Sequence, residues 1–317
     1  MKALVYDTAL HIDEIPMPTP APGEALIRVL AAGICNTDIE IRRGYMAYTG
    51  VLGHEFVGIV EKTPTDYLLG KRVVGEINCI CGCCRYCLME MPNHCLNRTV
   101  LGIAGRPGAF AEYITLPEKN LHIVPTALRD DVAVFAEPLA AAFRITEQIA
   151  IGADDHIIIL GDGKLGQLIA QTIWLYSKNI LCIGKHLWKC DMLTSRGIAA
   201  TLHTEEITGD ADIVIDATGS PESLQQALTL VRPEGTVVLK TTCAGRTYLA
   251  SQDAVVKEVR LIGSRCGPFR PALEALALGT VETRPMISET YPLDDGPYAM
   301  NRAEDPGVMK VVLHISD

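Results

Sequence analysis

Residues 156–166 read His156-Ile157-Ile158-Ile159-Leu160-Gly161-Asp162-Gly163-Lys164-Leu165-Gly166. The first five are nearly all apolar, the pattern of a short parallel strand buried on both faces. A Gly-x-Gly-x-x-Gly loop follows at once, and Gln167–Tyr176 continues with helical spacing. A glycine triplet alone is weak evidence. Between a strand and a helix, though, the glycines allow a tight turn and let the backbone approach a pyrophosphate at the helix N-terminus. Lys164 is either an added positive charge there or a solvated lysine. Further apolar strands are expected at Ile180–Ile183, Asp212–Ala217, Thr236–Leu239 and Val259–Ile262, with helix-like Leu187–Arg196 and Pro221–Leu230 between them. Such alternation indicates a doubly wound parallel sheet, hence an α/β fold class. Asp130–Ala150 is alanine-rich with helical spacing, Pro271–Leu278 reads as a helix, and Val308–His314 as a final strand.

The first 125 residues have a different character. Lys2–Tyr6 and Glu24–Ala31 read as strands separated by Pro16, Pro18 and Pro20, which disfavour a helix. Short strands continue at 56–60 and 71–76, and few segments show a helical period, so this part is expected to be a β domain with long loops. Gly33-Ile34-Cys35-Asn36-Thr37-Asp38 and Gly53-His54-Glu55 lie within it. A thiolate, an imidazole and a carboxylate with a nearby hydroxyl can hold a zinc ion with one position open. Taken alone, Cys35 and His54 read more readily as an ordinary buried cysteine and a satisfied core or surface histidine.

Eleven cysteines are present, and six of them (Cys79, Cys81, Cys83, Cys84, Cys87, Cys95) fall within seventeen residues. Cys35, Cys182, Cys190, Cys243 and Cys266 are scattered. Clustering of this kind favours metal over a disulfide framework. Cys81-x2-Cys84-x2-Cys87-x7-Cys95 supplies four soft ligands that can close tetrahedrally around Zn²⁺, as in a structural site, leaving Cys79 and Cys83 surplus. Reduced thiols, a redox pair or an iron–sulfur cluster are the alternatives.

With 317 residues, 48% hydrophobic, the chain can bury a sizeable core and two domains are expected. Its net charge of −10 and the absence of a Lys/Arg cluster argue against nucleic acid as a partner. Residues 1–14 lack an apolar signal core, and Glu137, Arg144 and Glu147 interrupt the longest apolar run. No membrane association and a cytoplasmic location are therefore expected.

Five elements in order, Gly33–Asp38, Gly53–Glu55, the four-cysteine lobe, Glu137-Pro138-Leu139 and the glycine loop, resemble the zinc-dependent medium-chain dehydrogenase/reductase family, nearest its polyol and threonine dehydrogenase branch. The resemblance covers nearly the whole chain. It implies a GroES-like catalytic domain, residues 1–125 and 268–317 with a structural zinc lobe at about 79–97, and an inserted Rossmann dinucleotide-binding domain, 126–267. It implies two zinc ions per chain, a structural one on Cys81, Cys84, Cys87 and Cys95, and a catalytic one on Cys35, His54 and either Glu137 or Glu55. Asp38 would fix the tautomer of His54, and Thr37 would place its hydroxyl on the bound alcohol and begin a proton relay, the alternative being a plain helix N-terminal hydroxyl. The implied activity is hydride transfer between a nicotinamide cofactor and an alcohol or polyol, or its ketone or aldehyde, with zinc lowering the pKa of the bound alcohol. A homodimer or homotetramer is implied as well. A non-catalytic NADPH-binding redox sensor or structural relative is the alternative, and a zinc hydrolase would have no use for the glycine loop.

Two departures from the family stand out. Many relatives carry a histidine five residues after the cysteine ligand; here it is Glu40, either a carboxylate relay or an exposed helix residue. An NAD-specific site places an acid at the end of the second strand, and here that position is Gly184, followed by Lys185, His186 and Lys189. The missing carboxylate and the added basic groups favour NADP(H), with NAD(H) as the alternative. Thr218 and Gly219 match the turn beside the nicotinamide. Lys240 and Arg265 are either contacts to an anionic substrate or satisfied structural cations. Tyr45, Met46 and Tyr48, in the 42–50 loop, are expected to line the substrate pocket.

Overall fold

A computed structural model describes residues 1–203, 207–240, 249 and 251–316; Cys243 lies outside them. In chain order the main elements are β1 (Lys2–Tyr6), β2 (Leu10–Glu14), β3 (Glu24–Gly33), α1 (Asn36–Arg42), β4 (Glu55–Lys62), β5 (Arg72–Gly75), β6 (Tyr113–Pro117), β7 (Leu121–Ile123), α2 (Asp130–Ala133) and α3 (Ala136–Gln148). There follow β8 (Ile157–Leu160), α4 (Lys164–Ile173), β9 (Ile180–Ile183), α5 (Leu187–Thr194), β10 (Ala199–Thr201), β11 (Ala211–Asp216), α6 (Ser223–Leu230), β12 (Val231–Leu239), β13 (Arg260–Gly263), α7 (Phe269–Leu278), β14 (Ile287–Pro292) and β15 (Lys310–His314). None of the described helices is long and apolar enough to cross a membrane.

The chain divides into two compact units, one of Met1–Glu137, Ala272–Ala277 and Thr283–Asp317, the other of Pro138–Pro271 and Leu278–Glu282. The first break thus falls at Glu137 and not near 125, because α2 packs on β3 and β4 and Phe135 is fully buried. The single helix expected over 130–150 is two, α2 and α3, with Pro138 in the first turn of α3, where its missing N–H costs no hydrogen bond.

The first unit is built on a sheet ordered β7-β5-β4-β3-β15-β14, with β6 also on β3. At its centre β3 lies antiparallel to β4 and β15, with Gly33 opposite Glu55 on one side and Val312 on the other. Lys310 and Glu55 form a salt bridge there, each side chain 1% exposed. The ammonium also donates to the Ile34 carbonyl at 3.3 Å and lies 5.3 Å from the Phe135 ring centroid. A Cβ at position 33 would stand 2.5 Å from Glu55 Oε2, so only glycine leaves room for the pair.

In the second unit six parallel strands run β10-β9-β8-β11-β12-β13. The chain starts in the middle, fills one side and then the other, so its switch point is at the end of β8, where ligands bind in such sheets. All four residues of β8 are buried, as expected for a central strand. Gln167 of α4 donates to the Lys189 carbonyl of α5 at 2.8 Å, and Lys257 Nζ donates to the carbonyls of Leu228 and Val231 (2.8 Å each), covering the negative end of α6.

Replacing Lys310 by methionine is expected to strand the Glu55 carboxylate in the core and to lower unfolding stability by about 3–5 kcal/mol. Guanidinium denaturation of the metal-loaded protein measures this. The Lys310→Met/Glu55→Gln double variant is expected to recover part of the loss, and a single variant as stable as the parent would refute the importance of the pair.

Candidate active site

Two groups of metal-type donors are present among the described residues, both in the first unit. In the lobe, the Cys81, Cys84, Cys87 and Cys95 thiols lie within 4.8 Å of one another. The measured sulfur–sulfur separations are 3.5 Å for Cys84–Cys87, 3.8 Å for Cys84–Cys95 and 3.5 Å for Cys81–Cys95. A tetrahedron with Zn–S bonds of about 2.3 Å has edges of about 3.8 Å, so the four thiols fit a zinc ion that is coordinatively closed. Backbone N–H groups of Cys83 and Cys84 pull the Cys81 thiol down to about 5, favouring the thiolate a metal needs. Cys79 is buried and Cys83 exposed, both outside the group, as expected for surplus residues.

The second group is Cys35, His54 and Glu55, with donor atoms again within 4.8 Å of one another. Cys35 sits at the N-cap of α1, and Asp38, three residues on, organises the surroundings. Its fully buried carboxylate accepts the Cys35 N–H at 2.9 Å and the Gly53 N–H at 3.2 Å, and it lies 3.2 Å from His54 Nδ1. That last approach is a charge contact and not a well-aligned hydrogen bond. With Nδ1 facing Asp38, Nε2 is the nitrogen left to ligate. Burial pushes the imidazole pKa down, but Asp38 and Cys35 outweigh it and hold it well above the ordinary range. A dication would replace that proton, so thiolate, imidazole and carboxylate together suit zinc. Thr37 Oγ1 lies 3.7 Å from Cys35 Sγ, which puts a hydroxyl at the edge of the group.

Other expected residues fall elsewhere. Glu137, the second residue of α3, is not among the groups whose donor atoms meet. Glu55 is among them, yet its Oε2 is bonded to Lys310. The Glu40 carboxylate is bound to Arg43 at 2.9 Å, which favours the plain helix-residue reading over a relay. Tyr48 donates to the carbonyls of Val51 and Arg106, and burial pushes its hydroxyl up to about 12, so it anchors its loop. Lys240 is a satisfied structural cation, donating to the Ala141 carbonyl (2.6 Å), Ser264 Oγ (3.2 Å) and the Arg265 carbonyl (3.0 Å).

In the second unit the glycine loop is placed as expected. Gly161 ends β8, Gly163 caps α4, and Lys164 and Leu165 begin that helix. A Cβ on Gly166 would come within 1.9 Å of the Gly161 carbonyl, so glycine is needed for the turn to close on the helix. A Cβ on Gly163 would meet nothing, the open space a pyrophosphate requires. Asp216 Oδ1 accepts from Thr218 N–H (3.1 Å) and Oγ1 (2.8 Å), which sets the Thr218-Gly219 turn at the end of β11.

The basic groups after Gly184 are less available than the sequence suggests. Lys189 is buried, with its ammonium 5.2 Å from the Trp188 ring. The His186 ring is turned onto Asp162, whose carboxylate also accepts the Lys185 and His186 N–H groups (2.8 and 2.7 Å). Sequence reasoning missed both this use of Asp162 and Lys310. The second could have been suspected from a lysine set in the apolar run Val308-Met309-Lys310-Val311-Val312-Leu313.

Comparison with known proteins bears on the family and the fold. The family profile of the alcohol dehydrogenase GroES-like domain matches residues 21–126, and that of the zinc-binding dehydrogenases residues 183–280. The chain is 32% identical to an L-threonine 3-dehydrogenase of Streptomyces coelicolor over 75% of this chain and 76% of that protein. It is 28% identical to a sorbitol dehydrogenase of Halalkalibacterium halodurans over 99% of both. Among solved structures, the alcohol dehydrogenase rspB of Escherichia coli CFT073, complexed with the cofactor NADH, superimposes with a TM-score of 0.91 at 28% identity, covering 99% of both chains. The chain belongs to the zinc-dependent medium-chain dehydrogenase/reductase family, with a GroES-like domain and a Rossmann domain.

Proposed function

We propose that the protein is a zinc-dependent oxidoreductase that transfers a hydride between a nicotinamide cofactor and an alcohol or polyol, or the corresponding ketone or aldehyde. The observation that carries this reading is the convergence of Cys35, His54 and Glu55 donors beside the Thr37 hydroxyl. Cys35, His54 and a carboxylate, Glu55 or Glu137, would hold the ion. When bound, zinc supplies Lewis acidity that makes an alcohol oxygen easier to deprotonate near neutral pH. The four lobe cysteines would hold a second, structural zinc.

The chain's own groups do the rest. Asp38 holds Cys35 and His54 in register, so the site is formed before substrate arrives. Thr37 Oγ1 accepts the hydroxyl proton of the alcohol and hands it outward; in the reverse direction it returns the proton to the carbonyl oxygen. Glu40, bound to Arg43, takes no part. Gly161, Gly163 and Gly166, with Lys164, Leu165, Thr218 and Gly219, would hold a dinucleotide, and the nicotinamide it carries would supply the acceptor for the carbinol hydride and its electron pair. Lys185 and the His186 imidazole are the groups that would favour a 2′-phosphate, and Asp162 opposes them. The named relatives act on L-threonine and sorbitol, so hydroxylated substrates of that size are the first class to test. A homodimer or homotetramer in the cytoplasm completes the proposal.

The zinc-loaded protein is expected to turn over at least one member of a panel of polyols, secondary alcohols, L-threonine and matching carbonyls, followed by nicotinamide absorbance. A panel-wide blank with metal-replete protein would contradict the proposal. Elemental analysis is expected to find about two zinc ions per chain. Cys35→Ala should retain only the lobe's ion, and Cys84→Ser only the other; one ion in the parent protein, lost with Cys84→Ser, would instead mark a binding protein. Thr37→Val is expected to lower kcat about 10²-fold or more with little change in zinc content, and an unchanged kcat would remove the hydroxyl from the proton path.

A further inference from the structure

The corner of the second unit where β9 ends holds a carboxylate that comes from the wrong place. Position 184, the usual seat of the ribose-binding acid, is glycine, and a Cβ there would stand 2.7 Å from Asp162 Oδ2, 2.8 Å from Asp162 Cβ and 2.8 Å from Cys190 Sγ. Asp162 belongs to the glycine loop, between Gly161 and Gly163, and its side chain occupies the space a residue at 184 would need. The two positions are therefore alternatives, and the missing acid is replaced, not simply lost.

The geometry points to Asp162 as the residue that discriminates the cofactor, selecting the dinucleotide with a free ribose 2′-hydroxyl, NAD(H), over its 2′-phosphorylated form. This rests on the dehydrogenase reading above and reverses the NADP(H) expectation drawn from sequence. Asp162 Oδ2 accepts the Lys185 N–H at 2.8 Å, the His186 N–H at 2.7 Å and His186 Nδ1 at 3.0 Å. Those two backbone donors lie just before α5, where they would otherwise be available to an anion entering this corner, and a carboxylate already holds them. Among the described residues Oδ1 has a single, longer contact, 3.2 Å to His186 Nδ1, and so keeps lone-pair capacity to accept from a ribose hydroxyl. Burial works against ionisation of Asp162, but the two N–H groups and His186 outweigh it and hold its carboxyl below the usual carboxylate range. The group is therefore an anion at neutral pH, a hydrogen-bond acceptor only. A hydroxyl can donate to it, whereas a phosphate dianion can only be repelled.

The cations left over do not restore the balance. His186 is committed to Asp162, the Lys189 side chain is buried, and the exposed Lys185 also feels Glu222, which lies on the same unit. Discrimination of this sort comes from building a repulsive element against the wrong ligand.

Calorimetric titration of the zinc-loaded protein with NAD⁺ and with NADP⁺, at one fixed ionic strength, tests the assignment without requiring a substrate. NAD⁺ is expected to bind at least about tenfold more tightly, and Asp162→Asn, which removes the charge and keeps the shape, is expected to narrow that ratio about tenfold. His186→Ala, which removes the imidazole and leaves the carboxylate only its two backbone donors, is expected to widen it, so a second variant stands if the first fails to fold. Tighter binding of NADP⁺ by the parent protein, or a ratio unmoved by both variants, overturns the assignment and leaves the dehydrogenase reading intact. Binding of neither dinucleotide overturns both.

Discussion

The first unit of this protein is organised around one buried ion pair. Lys310, from the last strand, bonds Glu55 at the start of β4 across Gly33, the last residue of β3. The residues beside these three, Ile34-Cys35 and His54, carry the metal-type donors. A chain segment more than 250 residues from Glu55 in sequence thus fixes where the Cys35 and His54 backbones lie. Two charges removed from water are costly to bury, and the pair is tolerable because each charge has a partner. The ammonium gains the Ile34 carbonyl and the Phe135 ring as well. Asp38 does the complementary work above, joining Cys35, Gly53 and His54 through one carboxylate.

The two donor groups differ in what they leave open. Four thiols at the corners of a tetrahedron would satisfy zinc completely, and a closed shell of that kind can only hold the lobe together. Cys35 and His54 supply one sulfur and one nitrogen, and the carboxylate beside them is already engaged by Lys310. An ion placed there has coordination to spare, and an exchangeable position is what substrate chemistry requires. Lys310 would compete with such an ion for the Glu55 carboxylate.

Much of this was legible in the sequence, because it rests on local patterns. The apolar run before Gly161 and the helix after Gly166 placed the Rossmann domain. The spacing of Cys81, Cys84, Cys87 and Cys95 is compatible with only a compact lobe, and the Gly33–Asp38 segment carries its own helix cap. What the sequence could not reveal depends on contacts made at a distance. Lys310 looks like a misplaced surface residue until β15 is laid against β3. Gly184 looks like an absent acid until the Asp162 side chain is seen to fill its space. Glu40 can be read either way from its position and Tyr48 is expected to line the pocket, and in the fold their polar atoms are engaged by Arg43 and by two backbone carbonyls. The domain boundary was displaced because Phe135 packs with the first unit, a matter of tertiary burial that helical periodicity does not record.

The central claim is that a metal ion sits between Cys35 and His54. Anomalous diffraction at the zinc edge from crystals of the protein tests it most directly. Two peaks per chain are expected, one inside the lobe and one about 2.3 Å from Cys35 Sγ and about 2.0–2.1 Å from His54 Nε2. A single peak confined to the lobe, from protein of full metal content, would contradict the account.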